Sequence, residues 1–411
     1  AFNYQREHWA PGFCAKDWCR ADSPNPPNFP CHPLLPNEWH KAVHSDKLRM
    51  RAQNFVLPSV RWLPKVVNDV LYVTMQIMVE HNLTPYIYKY YDRLAIPKSV
   101  PGSFRNIAIA MDMFAVHATI IHNRLSEPLN RICPSQVIAY LANRSAMDGN
   151  AVRQAVREDC AQSIRANQHD ETVAAKELYV LILDDVKMYC SVNPAAEAWV
   201  LQSLSAPEKL QECFAENQFL NHFRVVTTEG STKVCVHGIG SRQGDVKACD
   251  STSLWNTVRI EILKGQGLMY EFAYLDPHDP YRADLVGMLY VDDVEHQLRG
   301  EPALEVAMRL LGMHSILNQV AYHPSKSGII VISKTPASFR SKPMWAWHRD
   351  SGRVVQIEIP LFGSEKGPDY MKSLGYAVVP TVDNRAKQNS ICLGRIMAAF
   401  GRCEKYTLTK T

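Results

Sequence analysis

From Pro64 onward, Val66, Val67, Val70, Leu71, Val73, Met75, Ile77 and Met78 set apolar side chains on nearly every face of a helix, the pattern of a buried, central one. Pro101 and Gly102 break the chain and Ser103 can cap, so 104–124 reads as a second long buried helix, ended by Pro128. Pro134 suits a helix start running into Tyr140, and Asp170 is placed to cap a helix carrying Val173, Leu178, Leu181 and Ile182. Two further starts are sharper: Asn193-Pro194, and the capping box Ser205-Ala206-Pro207-Glu208 ahead of Leu210, Phe214 and Phe219.

After Phe223 the period changes. Residues 224–228, 233–237, 257–263 and 268–275 alternate or are β-branched and are punctuated by glycines, which predicts an antiparallel meander. Strands at 285–291, 328–333, 354–359 and 376–382, a helix over 302–312 and a short element near 391–400 complete this half. The expected fold class is α+β: a helix-rich N-terminal half behind an extended proline-rich arm, then a mixed, mainly antiparallel sheet with helices. The divisions fall at 1–63, 64–223 and 224–411.

The arm combines Pro11, Pro24, Pro26, Pro27, Pro30, Pro33, Pro36 and Pro58 with Trp9, Phe13, Trp18, Phe29, Trp39 and Trp62. Proline forbids long helices and central strands, so the arm should be extended. Its rings need a surface to cover, which makes those six aromatics candidate contacts to copies of the chain or to other subunits. Its Cys14, Cys19, Cys31 and His32 offer soft ligands for a tetrahedral zinc, although the C-x4-C-x11-C-H spacing is irregular.

Composition narrows the rest. The 411 residues are 46% hydrophobic and 21% charged, ordinary values for a folded chain long enough for two cores. A net charge of +4 does not by itself indicate a nucleic-acid partner. No apolar run is long enough for a membrane span and no signal peptide is visible; eleven dispersed cysteines favour a reducing compartment or a virion.

Tyr290-Val291-Asp292-Asp293 follows an apolar run, which sets two carboxylates at a strand end. This resembles the metal-binding motif of reverse transcriptases and RNA polymerases, where paired acids hold divalent cations for phosphoryl transfer. Ser251-Thr252-Ser253-Leu254-Trp255-Asn256-Thr257 resembles the Thr/Asn helix of viral RNA polymerases, without the glycine expected ahead of Thr252. The resemblance implies a third, upstream carboxylate in a strand; Asp184 and Asp185 are the local candidates, within the segment read as helical. His348-Arg349-Asp350 resembles the first two ligands of non-haem iron oxygenases, but no histidine follows His348. Gly238-Ile239-Gly240-Ser241-Arg242-Gln243-Gly244 reads as a hairpin turn rather than a phosphate loop, because 245–253 is too polar for the apolar helix such a loop opens. His117, His122 and Asp112 read as buried, hydrogen-bonded groups.

With every catalytic motif incomplete and the arm spanning a whole segment, the leading expectation is a structural, self-assembling subunit, such as a shell protein or a non-catalytic member of a large complex. The alternative is a metal-dependent enzyme of the C-terminal half, built on Asp292 and Asp293 or on His348 and Asp350.

Overall fold

The computed structural model describes residues 32–44, 63–98, 104–110, 112–134, 136–141, 144, 146–167, 176–203, 206–216, 221–227, 229–237, 240–243, 245–268, 270–273, 282–285, 287–290, 293–335, 337–362, 371–373 and 376–378. Helices alternate with mainly antiparallel strands, and the fold is α+β. Two units interleave along the chain: 1–144, 186–265 and 317–320 form the first, and 145–185, 266–316 and 321–411 the second. Segments on both sides of Phe223 therefore enter each unit, because strands distant in sequence pair with one another.

In the first unit, α1 (Pro36–Val43) and α2 (Lys65–Glu80) lead into β1 (Tyr90–Pro97), β2 (Phe104–Ala110) and α3 (Asp112–Ile132). Strand β2, which pairs with β1 in a hairpin, occupies ground expected to be helical, and the alternation in Phe104-Arg105-Asn106-Ile107-Ala108-Ile109-Ala110 explains why. Pro128 lies inside α3 rather than ending it. Residues of α1, α2 and α3 share one core of Leu34, Trp39, Ala42, Val43, Met75, Met78, Val79, Val116 and Ile120. Trp39 is buried there, its indole N–H donating to Asn68 Oδ1 at 3.2 Å. Contrary to expectation, α2 is not central: only Met75, Met78 and Val79 of its residues are buried.

Asp112, in the first turn of α3, has neither carboxylate oxygen hydrogen-bonded among the described residues, so burial does not bring the partner the sequence suggested. Burial pushes its carboxyl up to about 7. Between the ordinary aspartate value and about pH 7 the folded chain holds the proton and the unfolded chain releases it, so stability falls as pH rises through that window. Asp112→Asn should flatten that slope and gain on the order of 2 kcal/mol at pH 8, read from denaturant unfolding at pH 4.5 and 8. An unchanged slope in the variant would assign the pH dependence elsewhere.

The second unit begins with α4 (Ala146–Ala166) and β3 (Leu178–Asp184). The chain passes through the first unit as α5 (Pro194–Ser203), α6 (Glu208–Glu216), β4 (Asn221–Thr227), β5 (Gly230–Ser231), β6 (Cys235–His237) and α7 (Val246–Lys264). It returns as β7 (Tyr270–Ala273), β8 (Arg282–Leu285), β9 (Gly287–Tyr290), β10 (Asp293–Arg299), α8 (Gly300–Asn318) and β11 (Gly328–Ile332). Where a helix starting near Pro134 was expected, no helix occurs among the described residues between Pro134 and Ala146. The 257–263 segment, read as a strand, is the C-terminal part of α7.

The main sheet of this unit has the order β11-β3-β10-β9. Taken in chain order, its first strand is central, its second and third form a hairpin, and its last returns on the other side, a split βαβ arrangement. Segment 178–184 is thus the central strand rather than a helix. Leu178, Val180 and Ile182 pack with Val156 and Cys160 of α4 and with Ile330 and Ile332 of β11. At Gly328 a side chain has no room, because an added Cβ would fall 1.5 Å from the Phe362 ring. A hairpin of β12 (Ser341–His348) and β13 (Arg353–Pro360) and a short pair, β14 (Met371–Ser373) with β15 (Tyr376–Val378), follow.

Candidate active site

Antiparallel pairing of β3 and β10 sets Asp293 directly opposite Asp184, and pairing of β10 with β9 sets Tyr290 opposite Asp293. Directly opposed residues project from the same face of a sheet with Cβ atoms about 4.5–5.5 Å apart. Two carboxylates therefore share one strand-end position. Asp185 continues from Asp184 and pairs as an isolated antiparallel bridge with Tyr322. Asp292, the residue before Asp293, lies outside the described residues.

The backbone around Asp184 is held on both sides. Its N–H donates to Ser327 Oγ at 3.2 Å and its carbonyl accepts from the His323 N–H at 2.8 Å. Lys326 Nζ lies 3.1 Å from Asp184 Oδ2. Like charges directly opposed across a sheet are destabilising, so a cation beside them has an electrostatic reason to be there. Lys326 neutralises part of the charge but is more than half exposed, so its contribution is modest.

Deeper on the same face of β10, Glu295 forms an ion pair with Arg153 of α4 at 2.7 Å and accepts from Arg153 Nε at 3.1 Å. Arg157, one turn further along α4, is also buried; burial lowers its pKa to about 10, and Glu295 opposes that shift. These groups tie α4 to the carboxylate-bearing strand.

The donor set is hard oxygen, which suits Mg2+ or Mn2+ rather than zinc. Among the described residues no three His, Cys, Asp or Glu side chains close into a metal cage. Asp184 and Asp293, which the register sets opposite each other, are the residues that would hold such an ion, with Asp185 and Asp292 adjoining them in sequence.

The Ser251 to Thr257 segment is helical, within α7, as its resemblance implied. Asp245 caps this helix by accepting from the Lys247 N–H at 3.2 Å, so the described Gly240 to Gln243 are followed by a helix where a hairpin was expected. Gly240 has φ +93°, and an added Cβ would lie 2.6 Å from the Cys190 backbone, so only glycine fits. The polarity of α7 is absorbed locally: Thr252 and Thr257 hydroxyls donate to the carbonyls of Ala248 and Ser253 at 2.8 and 2.9 Å. At its start, Asn221, Ser241, Arg242, Asp245 and Lys247 line a small cavity, and the Arg242 guanidinium stacks 3.5 Å from the Phe114 ring centroid. This helix belongs to the first unit and the carboxylates to the second. On α3, His122 pairs with Asp250 at 2.8 Å.

His348 and Asp350 lie at the exposed end of the β12–β13 hairpin, where His348 Nδ1 is 2.8 Å from Ser351 Oγ. That contact organises a turn. Cys14, Cys19 and Cys31, and with them the zinc expectation, lie outside the described residues; His32 is exposed, 3.8 Å from Glu38, which Arg124 grips in turn. Of the six arm aromatics, only Trp39 is described, and it fills this chain's own core; Trp9, Phe13, Trp18, Phe29 and Trp62 lie outside. Five cysteines among the described residues, Cys133, Cys160, Cys190, Cys235 and Cys249, are free thiols. No described helix is long and apolar enough to cross a membrane.

Sequence reasoning missed Asp184 and Asp185 as strand-end acids. A signal was present: Leu178 to Leu183 ends in Asp184-Asp185 as Gly287 to Val291 ends in Asp292-Asp293, an apolar run closed by two acids in both places. No protein-family model matches this chain, and no curated protein matches it.

Proposed function

We propose that this chain is a metal-dependent nucleotidyl-transfer enzyme of the polymerase type, with Asp184 and Asp293 as its paired acids and Asp185 and Asp292 beside them. The observation that carries this reading is the register that opposes Asp293 to Asp184. It supplies the upstream strand carboxylate that the Tyr290-Val291-Asp292-Asp293 motif requires. Divalent cations, when bound, would neutralise charge on the transferring phosphoryl group and lower the pKa of the attacking hydroxyl. The protein's own contribution is positional: the carbonyl and N–H of Asp184 are fixed, α4 is tied to β10 through Glu295, and Lys326 adds a positive charge at the rim. The helical Ser251–Thr257 segment adds weaker support.

The test is incorporation of labelled nucleotides on primed RNA and DNA templates with Mg2+ or Mn2+, offering ribo- and deoxyribonucleoside triphosphates separately. Metal-dependent extension on at least one combination is expected; no extension on any of them counts against the proposal. A second reading, an assembling subunit, draws on the exposed apolar face of α2.

A further inference from the structure

Helix α2 carries apolar side chains on two opposite faces. Met75, Met78 and Val79, with Leu71 and Tyr72 beside them, join the core of the first unit. Val66, Val70, Val73 and Ile77 are 68%, 60%, 50% and 48% exposed. At 3.6 residues per turn these four fall within roughly 60° of arc, centred about 180° from the buried face. Their 4-3-4 spacing is that of a helix–helix seam, and a contiguous exposed stripe of this kind marks an interaction surface.

We infer that this face pairs with the same face of a second copy, antiparallel, about a two-fold axis near the 70–73 step. The stripe is self-complementary under that operation: Val66 of one chain meets Ile77 of the other, and Val70 meets Val73. Charge decides the direction. Glu80 continues the seam register, so parallel pairing sets Glu80 against Glu80. Antiparallel pairing brings Glu80 instead to the end that carries Lys65, and it also opposes the two helix dipoles favourably. Among the described residues Lys65 pairs with Asp69 of its own helix, at 3.0 Å, and its side chain is 91% exposed.

Four side chains per copy are less than the roughly 600 Å² each partner contributes to a stable interface. Leu83, Tyr86 and Ile87, which follow α2 in sequence, are also each more than half exposed. The pairing is independent of the proposed chemistry, since none of these residues belongs to the carboxylate site.

Sedimentation velocity on the full chain over a concentration series tests it. A monomer–dimer equilibrium is expected for the parent chain. Val70→Asp, at an exposed position that leaves the core intact, should weaken the dimer by roughly a hundredfold. Lys65→Glu should weaken it about threefold to fivefold, and Lys65→Glu with Glu80→Lys should restore it. A monomer at every concentration, or a dimer untouched by Val70→Asp, overturns the inference; a double exchange that fails to restore association overturns the antiparallel arrangement. Circular dichroism of each variant confirms that the helices are retained.

Discussion

Asp293→Asn and Asp184→Asn are each expected to lower nucleotide incorporation by roughly a thousandfold or more, because each removes one of two opposed carboxylates that hold the charge-neutralising cation. The stability consequence has the opposite sign with and without metal. Without divalent ion, Asp293→Asn relieves a like-charge cross-strand pair and should gain about 0.2–1 kcal/mol. With ion at a hundred times its dissociation constant, the parent should gain about 2.7 kcal/mol from binding and the variant far less. Thermal unfolding with chelator and with Mn2+, run beside the extension assay, reads both effects. Equal metal stabilisation in parent and variant, or undiminished incorporation, removes the carboxylate pair from the chemistry. A purely architectural role for Asp293 does not produce the reversal of sign.

The register that opposes these acids was the least legible part of the chain. Leu178-Tyr179-Val180-Leu181-Ile182-Leu183 is a short, continuous apolar run, and its Leu178, Leu181 and Ile182 fit helical spacing. A strand buried on both faces gives the same pattern, and only the β-branched residues and the run's shortness distinguish it. The opposite error fell on α7, where Val258, Ile260 and Ile262 alternate as in a strand. Because Ser251, Thr252, Asn256 and Arg259 are buried, that helix has no polar face to reveal its period, and the informative signal was the Asp245 cap. Segments with a local signal were read correctly: the clean alternation of β13, and the starts of α5 and α6 at Pro194 and Glu208, follow from local chemistry alone. For α2, an all-round apolar pattern signalled burial, whereas one of its faces is covered within the chain and the other is exposed.

The site inherits this asymmetry. Asp292 and Asp293 were legible because their motif is contiguous, while Asp184 becomes meaningful only when a strand more than a hundred residues away lies beside it. His348 and Asp350 show the converse: contiguity made a motif, and the structure sets both at an exposed turn.

Glu295→Ala is expected to destabilise the protein by about 3–5 kcal/mol, since it leaves the buried Arg153 without its carboxylate and deprives the buried Arg157 of the charge that opposes its desolvation. The loss belongs to the stranded charge more than to the pair, so Glu295→Met combined with Arg153→Met should recover a large part of it. A pH signature separates this from simple loss of packing. Arg157 already has its folded pKa lowered to about 10, so between that value and the ordinary arginine value the unfolded chain binds more protons than the folded one, and stability rises with pH. Without Glu295 the folded value falls further, the window opens at lower pH, and the deficit of Glu295→Ala should narrow as pH is raised toward 10. Denaturant unfolding at pH 7, 8.5 and 10 measures it. A deficit constant across that range would mean that Glu295 acts by filling space rather than by holding two arginines in the interface between α4 and the strand that carries Asp293.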